Sequence, residues 1–375
     1  MPEAVWFADP PPLRGPRVAV IGAGLAGCAT AAHLCRAGFG VSLIDSAAEI
    51  AGATSGNRAG LVNPRLTGEP NLDRYYRAAA DYFFPYFADL CARAPVPPEY
   101  AFDGVDGSKQ QDAHTGGWLA PRSFCRAQLS LCSDLHYRLN TTITSIRAVD
   151  RGWQLLTQDG ALFETDAVVL TQGYRTAPLQ IDTHYLRPHA GQVTLVDSAA
   201  LPRPLARPFS RQRHYGISLP DGVTLCGAVN RRAEAGPPQA QADLQNLAAL
   251  AAYLGADSPP DSAILGARTG TRATTPDHLP VVGGVPDEDF FASAYAMLHH
   301  GKRHRQWPPA RYLPGLYILN GLGSHGILGS PFLAHLLVNL MRGNVKQDTR
   351  DAIHLLHPAR FILRQLRRKP ADRKS

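Results

Sequence analysis

The sequence predicts an α/β protein in which a parallel nucleotide-binding sheet is joined to a second region of antiparallel strands. Three observations predict it. The stretch RVAVIGAGLAGCATAAHLCRAGFGVSLID, residues 17 to 45, runs strand, glycine turn, helix, strand. A second glycine-rich turn, NGLGSHGILGSP at 320 to 331, follows a strand-like run at 316 to 319 and precedes a helical pattern at 332 to 341. Between them, residues 185 to 311 alternate short β-rich runs such as GQVTLV and GVTLCGAV with polar turns, the pattern of an antiparallel sheet.

The first unit has every part of a Rossmann dinucleotide fingerprint. A β-branched strand at 18 to 21 leads into Gly22, Gly24 and Gly27, and an Ala-rich helix to about Arg36 is followed by a strand at 41 to 44. Gly22 permits the tight turn, Gly24 lets backbone approach a pyrophosphate, and Gly27 lets helix and strand pack closely. The helix start, with Ala23, Leu25 and Ala26 around it, offers free N–H groups and a partial positive charge to phosphates. Asp45 ends the second strand, with Ser46 beside it, where an acid accepts hydrogen bonds from an adenosine ribose. These residues predict a bound FAD or NAD.

The second glycine turn lacks one of those parts. No strand ending in an acid follows its helix, since the chain there reads MRGNVKQDT, so it is not a second adenosine site. Gly323, Ser324, His325, Gly326 and Ile327 are instead expected to face another part of the same ligand, with Pro331 in the first turn of the helix. A flavin gives the reason. Its reduced ring carries negative charge, which a helix N-terminus stabilises.

Composition narrows the function class. Hydrophobic residues make up 45% and charged residues 18%, as in globular enzymes and unlike disordered chains. No apolar run reaches the ~18 residues of a membrane span. The start, MPEAVWFADPPPLRG, has no basic segment leading into an apolar one, so no signal peptide is expected and the cytoplasm is the default location. The six cysteines, at 28, 35, 91, 125, 132 and 226, include no Cys-x-x-Cys pair, which argues against a disulfide framework and against a metal site. Net charge is +7, and the tail RQLRRKPADRKS (364 to 375) supplies most of it. That tail and the cluster HHGKRHRQW (299 to 307) read as solvated basic ends or as nucleic-acid contacts.

In order along the chain, RVAVIGAGLAG, GATSGNRAGLVNPRL, GGWLAP, DAVVLTQG, GTRATTPDHLPVVGGVPD and LYILNGLGSHGILGSP resemble the D-amino-acid-oxidase-like flavoenzymes. More narrowly, SGNRAG, GGWLAP, RATTPDHLPVVG and HPARFILRQL resemble the FAD-dependent oxidoreductase half of the bifunctional tRNA 5-methylaminomethyl-2-thiouridine biosynthesis proteins. The resemblance implies a Rossmann-type FAD-binding domain with an antiparallel-sheet substrate domain. It also implies an activity: oxidation of the carboxymethylaminomethyl group of a tRNA wobble uridine. Hydride loss from the glycine-like CH2 gives an imine, whose hydrolysis leaves the 5-aminomethyl base and glyoxylate. Such chemistry asks the protein mainly for orientation, through a cation that grips the glycine carboxylate.

The resemblance assigns that cation to Arg272, whose planar fork suits a carboxylate; a salt bridge to Asp277 is its bland alternative. It brings Thr54, Ser55, Gly56, Asn57, Arg58, Ala59 and Gly60 to the cofactor, with Asn57 and Arg58 against the flavin or pyrophosphate, or Arg58 in a surface ion pair. Gly173, at the end of DAVVLTQG, is expected to approach FAD, and Ile143 the adenine; His278 lines the pocket or caps a turn. Two departures stand out. His325 occupies a position where relatives often have arginine, and only sixteen residues precede Arg17, leaving no room for a methyltransferase domain. A separate methyltransferase partner acting next is therefore expected. Two other readings stay open: an oxidase or dehydrogenase of a free amino acid such as glycine, sarcosine or a D-amino acid, and an RNA-binding flavin fold without turnover.

The expected organisation is an FAD domain from residues 15–70, 122–180 and 312–345, with strands at 18–21, 41–44, 166–171 and 316–319. The substrate domain takes 71–121 and 185–311, and a C-terminal helix and basic tail occupy 346–375. Residues 71 to 90 read as helical, with a kink or break at Pro85. One helix is expected within RRAEAGPPQAQADLQNLAALAAYLGADSPP, and disorder in residues 1 to 14 and the tail.

Overall fold

The computed structural model describes residues 5–64, 66–107, 115–174, 185–300 and 306–368. Residues 369–375 of the basic tail and 301–305 of the second basic cluster lie outside them. All four strands expected in the FAD domain are present and adjacent. β1 (Arg17–Ile21) pairs in parallel with β2 (Gly40–Ile44) on one side and β10 (Ala167–Leu170) on the other, and β10 pairs in parallel with β17 (Tyr312–Asn320). β6 (Leu135–Arg138) extends the sheet beyond β2, and β16 (Val281–Pro286) closes the far edge antiparallel to β17. The order is therefore β16-β17-β10-β1-β2-β6. β16 lies in the stretch expected to belong to the substrate strands. Its apolar run is buried at every position, so it completes this sheet rather than the other.

Side-chain alternation along β1 explains the layering. Val18 and Val20 face α1 (Leu25–Arg36), α2 (Pro70–Arg93), α3 (Pro121–Leu129) and α6 (Gly326–Met341), while Ala19 and Ile21 face a three-stranded meander. That meander is β7 (Ile143–Val149), β8 (Gly152–Thr157) and β9 (Leu162–Thr165), which contributes Ile143, Trp153 and Leu155 to the core. A small sheet, β3 (Gly60–Val62), β5 (Gly117–Leu119) and β4 (Tyr100–Ala101), follows the SGNR segment.

The expected antiparallel sheet has the order β12 (Phe209–Arg211), β13 (His214–Ser218), β14 (Val223–Arg231), β11 (Arg187–Asp197), β15 (Ile264–Thr274). α4 (Ala240–Leu254), the helix expected in that region, seats Leu247 and Leu250 on Val196 and Cys226. Its buried Asp243 accepts hydrogen bonds from Gln192 Nε2 at 2.8 Å and Thr194 Oγ1 at 2.6 Å, which satisfies a carboxylate shut away from water.

Three expectations change. α2 runs unbroken through Pro85, because Phe83, Tyr86, Phe87 and Leu90 are buried on both sides of it and their packing outweighs one lost backbone bond. α6 starts at Gly326, so Pro331 falls in its second turn, inside a helix buried on nearly all sides. Residues 5–14 are ordered. Trp6 is 7% exposed in a cluster with Phe291, Tyr295 and Leu363 of α5 (Glu288–Ala294), its following turn and α8 (Ala359–Leu366). Leu13 N donates to Met341 O at 2.7 Å, and Asp9 pairs with Arg350 of α7 (Gln347–Leu356) at 2.9 Å. Truncating a buried Trp typically removes about 3 kcal/mol or more. Trp6→Ala is accordingly expected to lower the urea midpoint by about that free energy while leaving the slope unchanged.

Candidate functional site

The strand order places the sequence's two glycine turns on one edge. β2, β1, β10 and β17 are neighbours, and at ~4.8 Å per strand their carboxyl ends span roughly 14 Å. At the β1 end, Gly22 has φ +108, and a Cβ there would lie 2.8 Å from backbone atoms of Thr171 and Gln172. A Cβ on Gly27 would lie 1.7 Å from Gly22 O, so only glycine allows this approach of helix to turn. Cys28 N donates to Gly24 O at 2.9 Å, leaving the amides before it without an intrahelical acceptor. Leu25 N donates to Ser55 Oγ at 3.1 Å, while those of Ala26 and Gly27 remain at the helix start.

Asp45 closes the β2 end. Its carboxylate accepts from Ala23 N at 2.5 Å and Ala47 N at 2.8 Å, which ties the acid to the glycine turn. Ser46 is exposed next to it, and Ile143 is 5% exposed among Ile21 and Ile44 beneath that end. Gly173, with φ +69, and Gly323, with φ +56, both have open space where a Cβ would be. Asn320 links their strands: its Nδ2 donates to Gly173 O and its Oδ1 accepts from Gly321 N, both at 2.8 Å. His325 is the N-cap of α6, and Gly329 N makes the first helical bond to His325 O at 2.9 Å. The amides of Gly326, Ile327 and Leu328 thus begin the helix without intrahelical acceptors. Two helix N-termini, two open glycines and an acid on one edge fit a dinucleotide lying across the four strands.

The SGNR segment is fastened to the antiparallel sheet. Thr54 Oγ1 donates to Thr271 O at 2.6 Å, and Arg268 reaches the carbonyls of Gly52 and Ala53. Gly60 lies against Ile327, and Ala59 is fully buried. Arg58 departs from the expected cofactor contact. It is exposed and pairs with Asp221 on the loop after β13, so the surface ion pair is what forms. A cavity of about 1100 Å³ opens there, walled by Asn57, Arg58, Tyr100, Trp118, Arg122 and Asp221. Arg272 is not among its lining residues, so the two features are separate.

Arg272 sits on β15 opposite His189 of β11. Its Nη1 donates to Ser324 Oγ at 2.8 Å and its Nη2 to Asn230 Oδ1, which brings it onto the second glycine turn. Gly323 N donates to Ala273 O at 3.0 Å and joins the same two elements. Among the described residues no carboxylate pairs with Arg272. Burial pulls its pKa down from the ordinary guanidinium value, partly offset by Tyr215, and the group stays charged. Tyr215 is itself pushed up to about 12 by burial and remains a phenol. His278 is exposed at φ +60 and donates its backbone N–H to Thr275 O at 3.1 Å, so it shapes a turn. The His325 ring lies against Tyr76 in a tilted arrangement, with centroids 4.7 Å apart and planes at 56°. Sequence reasoning missed Tyr215 and Asn230, which carry no motif and meet Arg272 only through strand pairing.

Asp277, the alternative partner of Arg272, binds Arg360 at 3.0 Å and Arg364 at 3.1 Å instead. These arginines belong to the HPARFILRQL segment, so the pair locks α8 beside the turn that follows β15.

A family model described as FAD dependent oxidoreductase matches residues 17–105 and 112–340. The chain belongs to this family. As a member, it binds FAD and is an oxidoreductase. It is 26% identical to the tRNA 5-methylaminomethyl-2-thiouridine biosynthesis bifunctional protein of Hydrogenovibrio crunogenus, over 97% of this chain and 62% of that one. Against the protein of the same name from Pseudomonas syringae pv. tomato, identity is 30% over 96% of this chain and 61% of that one. The chain thus spans about three-fifths of the length of these relatives. Glycine oxidase from Bacillus cereus has the same fold, with TM-score 0.67 and 18% identity over 89% of this chain and 97% of that one. No helix among the described residues is long and apolar enough to cross a membrane, and no group of His, Cys, Asp or Glu there is arranged to hold a metal.

Two predictions test this geometry. Gly27→Ala is expected to yield protein without flavin, read as loss of visible absorbance in the purified sample, because its Cβ cannot coexist with Gly22 O. The second concerns Asp277. Burial works to raise its pKa, but hydrogen bonds and charge from Arg360, a bond from Thr275 and the charge of Arg364 hold it below the ordinary value. A depressed carboxylate pKa adds stability above the unfolded value of about 3.9, and that stability is lost as pH falls through the folded value. Asp277→Asn is therefore expected to cost about 3 kcal/mol at neutral pH and progressively less as pH falls below about 3.9 and through the folded value, in paired chemical denaturations.

Proposed function

We propose that the protein oxidises the carboxymethylaminomethyl group of a tRNA wobble uridine, releasing glyoxylate and leaving the 5-aminomethyl base. One observation carries the reading: a half-buried arginine, Arg272, without a carboxylate partner among the described residues, held against the second glycine turn by Ser324 and Asn230. A guanidinium oriented by neutral partners and lacking a countercharge is a receptor for a small carboxylate. FAD, when bound, supplies the electron acceptor. In this reading Arg272 grips the glycine carboxylate, the Tyr215 phenol adds a donor beside it, and Ser324 and Asn230 keep the fork aimed. The roles of Gly22 to Gly27, Asp45, Thr54 to Asn57, Gly173 and Gly323 to Ile327 in cradling the dinucleotide belong to the same proposal.

Charge around Arg272 supports a polyanionic substrate. Arg232, His278 and Arg213 are exposed, and with Arg272 they bear electrostatically on His189. Gln212 and Arg213 form the tip of the β12–β13 hairpin with φ +48 and +72. Positive φ at both residues is what a two-residue type I′ hairpin requires, and it carries the Arg213 side chain at the turn. Two exposed arginines, Arg213 and Arg232, near a carboxylate receptor suit a small anionic group carried on a nucleic-acid backbone. A separate methyltransferase would act on the 5-aminomethyl product, and the cytoplasm is where such a substrate is found.

The test is anaerobic mixing of the holoenzyme with tRNA bearing 5-carboxymethylaminomethyl-2-thiouridine, in parallel with glycine and sarcosine, followed by flavin absorbance. Bleaching by the tRNA is expected. Arg272→Ala should retain FAD and lose about 100-fold in kcat/KM, since unpairing a bound charge costs roughly 2–5 kcal/mol. Arg213→Ala should weaken the tRNA reaction and flatten its salt dependence by about one phosphate contact. Bleaching by glycine or sarcosine with an inert tRNA would make the protein a free amino-acid oxidoreductase.

A further inference from the structure

Four of the six cysteines meet in two pairs where α1 packs on α3. Cys28 and Cys35 lie seven residues apart on α1, a spacing that returns to the same helix face. Cys125 lies on α3 and Cys132, again seven residues on, in the turn after it. Cys28 interacts electrostatically with Cys125, and Cys35 with Cys132; the Cys35 thiol donates to Asp134 O at 3.7 Å, two residues beyond Cys132, and the Cys132 thiol to Gln128 O at 3.9 Å. The first pair is sealed: both residues are 0% exposed. The second pair is half-buried, and a pocket of about 190 Å³ lined by Cys35, Arg36, Tyr86 and Gln128 opens beside it.

We propose that Cys35 and Cys132 form a peroxide-sensitive thiol pair that closes to a disulfide and staples α1 to the turn after α3. The oxidant is hydrogen peroxide, the product whenever dioxygen reoxidises a reduced flavin. The Cys132 sulfur attacks one peroxide oxygen, the O–O bond breaks and one water leaves, giving a sulfenic acid. The Cys35 sulfur then displaces the sulfenic oxygen, which departs as a second water as the S–S bond forms. Two thiols lose two hydrogens and two electrons, and one peroxide becomes two waters. The order of events follows from local charge. The positive charge of Arg36 bears on Cys132 and favours its thiolate, which makes Cys132 the attacking sulfur and Cys35 the one that resolves the sulfenic acid. The staple would close a loop of roughly a hundred residues, a long span for a constraint on the unfolded chain. It would also anchor the helix whose N-terminus faces the dinucleotide site. None of this depends on the identity of the substrate.

The experiment treats FAD-loaded, reduced protein with hydrogen peroxide, blocks remaining thiols, and maps peptides by mass spectrometry without reduction. The expected product is one joined peptide pair containing Cys35 and Cys132, lighter by two hydrogens and separated again by dithiothreitol. Flavin release on heating should shift upward in the oxidised wild type and not in Cys132→Ser or Cys35→Ala, either of which serves if the other misfolds. Sulfinic or sulfonic acid at Cys35 or Cys132 without a cross-link would overturn the proposal. So would a cross-link between other cysteines, or thiols of the folded protein that survive peroxide concentrations that oxidise the denatured chain.

Discussion

Everything at the cofactor edge depends on one close approach, that of the Gly27 backbone to the carbonyl of Gly22. With a Cβ position only 1.7 Å from that oxygen, α1 can lie flat against β1 and aim its first amides along the sheet edge. Any larger residue would push the helix outward and carry the amides away from a phosphate. The same contact fixes Asp45, since its carboxylate accepts from Ala23 N inside that turn. A steric condition at one residue thereby sets the electrostatics of the whole nucleotide end.

The second glycine turn is held by a different kind of bond. Gly323 N and Ser324 Oγ both reach β15, through Ala273 O and the Arg272 guanidinium. β15 in turn holds the SGNR segment through Thr271 O and Arg268. One strand of the antiparallel sheet thus connects the SGNR segment to the second glycine turn, and Arg272 lies on that strand. Because these links are hydrogen bonds of named geometry, the arginine's position relative to α6 is set by the sheet and not by a mobile loop.

Stability and chemistry are kept apart in the arginines. Arg360, with 9% of its side chain exposed, is committed to Asp277, and Arg58 to Asp221. Among the described residues, Arg272 bonds only neutral oxygens, those of Ser324 and Asn230. Neutral partners orient a guanidinium without neutralising it, so its charge remains for a carboxylate.

By itself the sequence determined the elements whose physics is local. Glycine spacing, β-branched strands and a terminal acid follow short-range rules, so β1, α1, β2, β10 and β17 were legible, as was the N-terminus of α1. Arg272 was legible only through resemblance, because nothing local separates it from a salt-bridged surface residue. Tertiary structure alone decided what depends on distant neighbours: that Asp277 belongs to Arg360, that Arg58 belongs to Asp221, that Val281–Pro286 joins the parallel sheet, and that α2 survives Pro85. It also ordered residues 5–14 by burying Trp6 and gathered four cysteines that look scattered along the chain. The physical reason is common to all of these. Partner choice and burial are set by contacts across tens to hundreds of residues, and no local pattern of residue types carries that information.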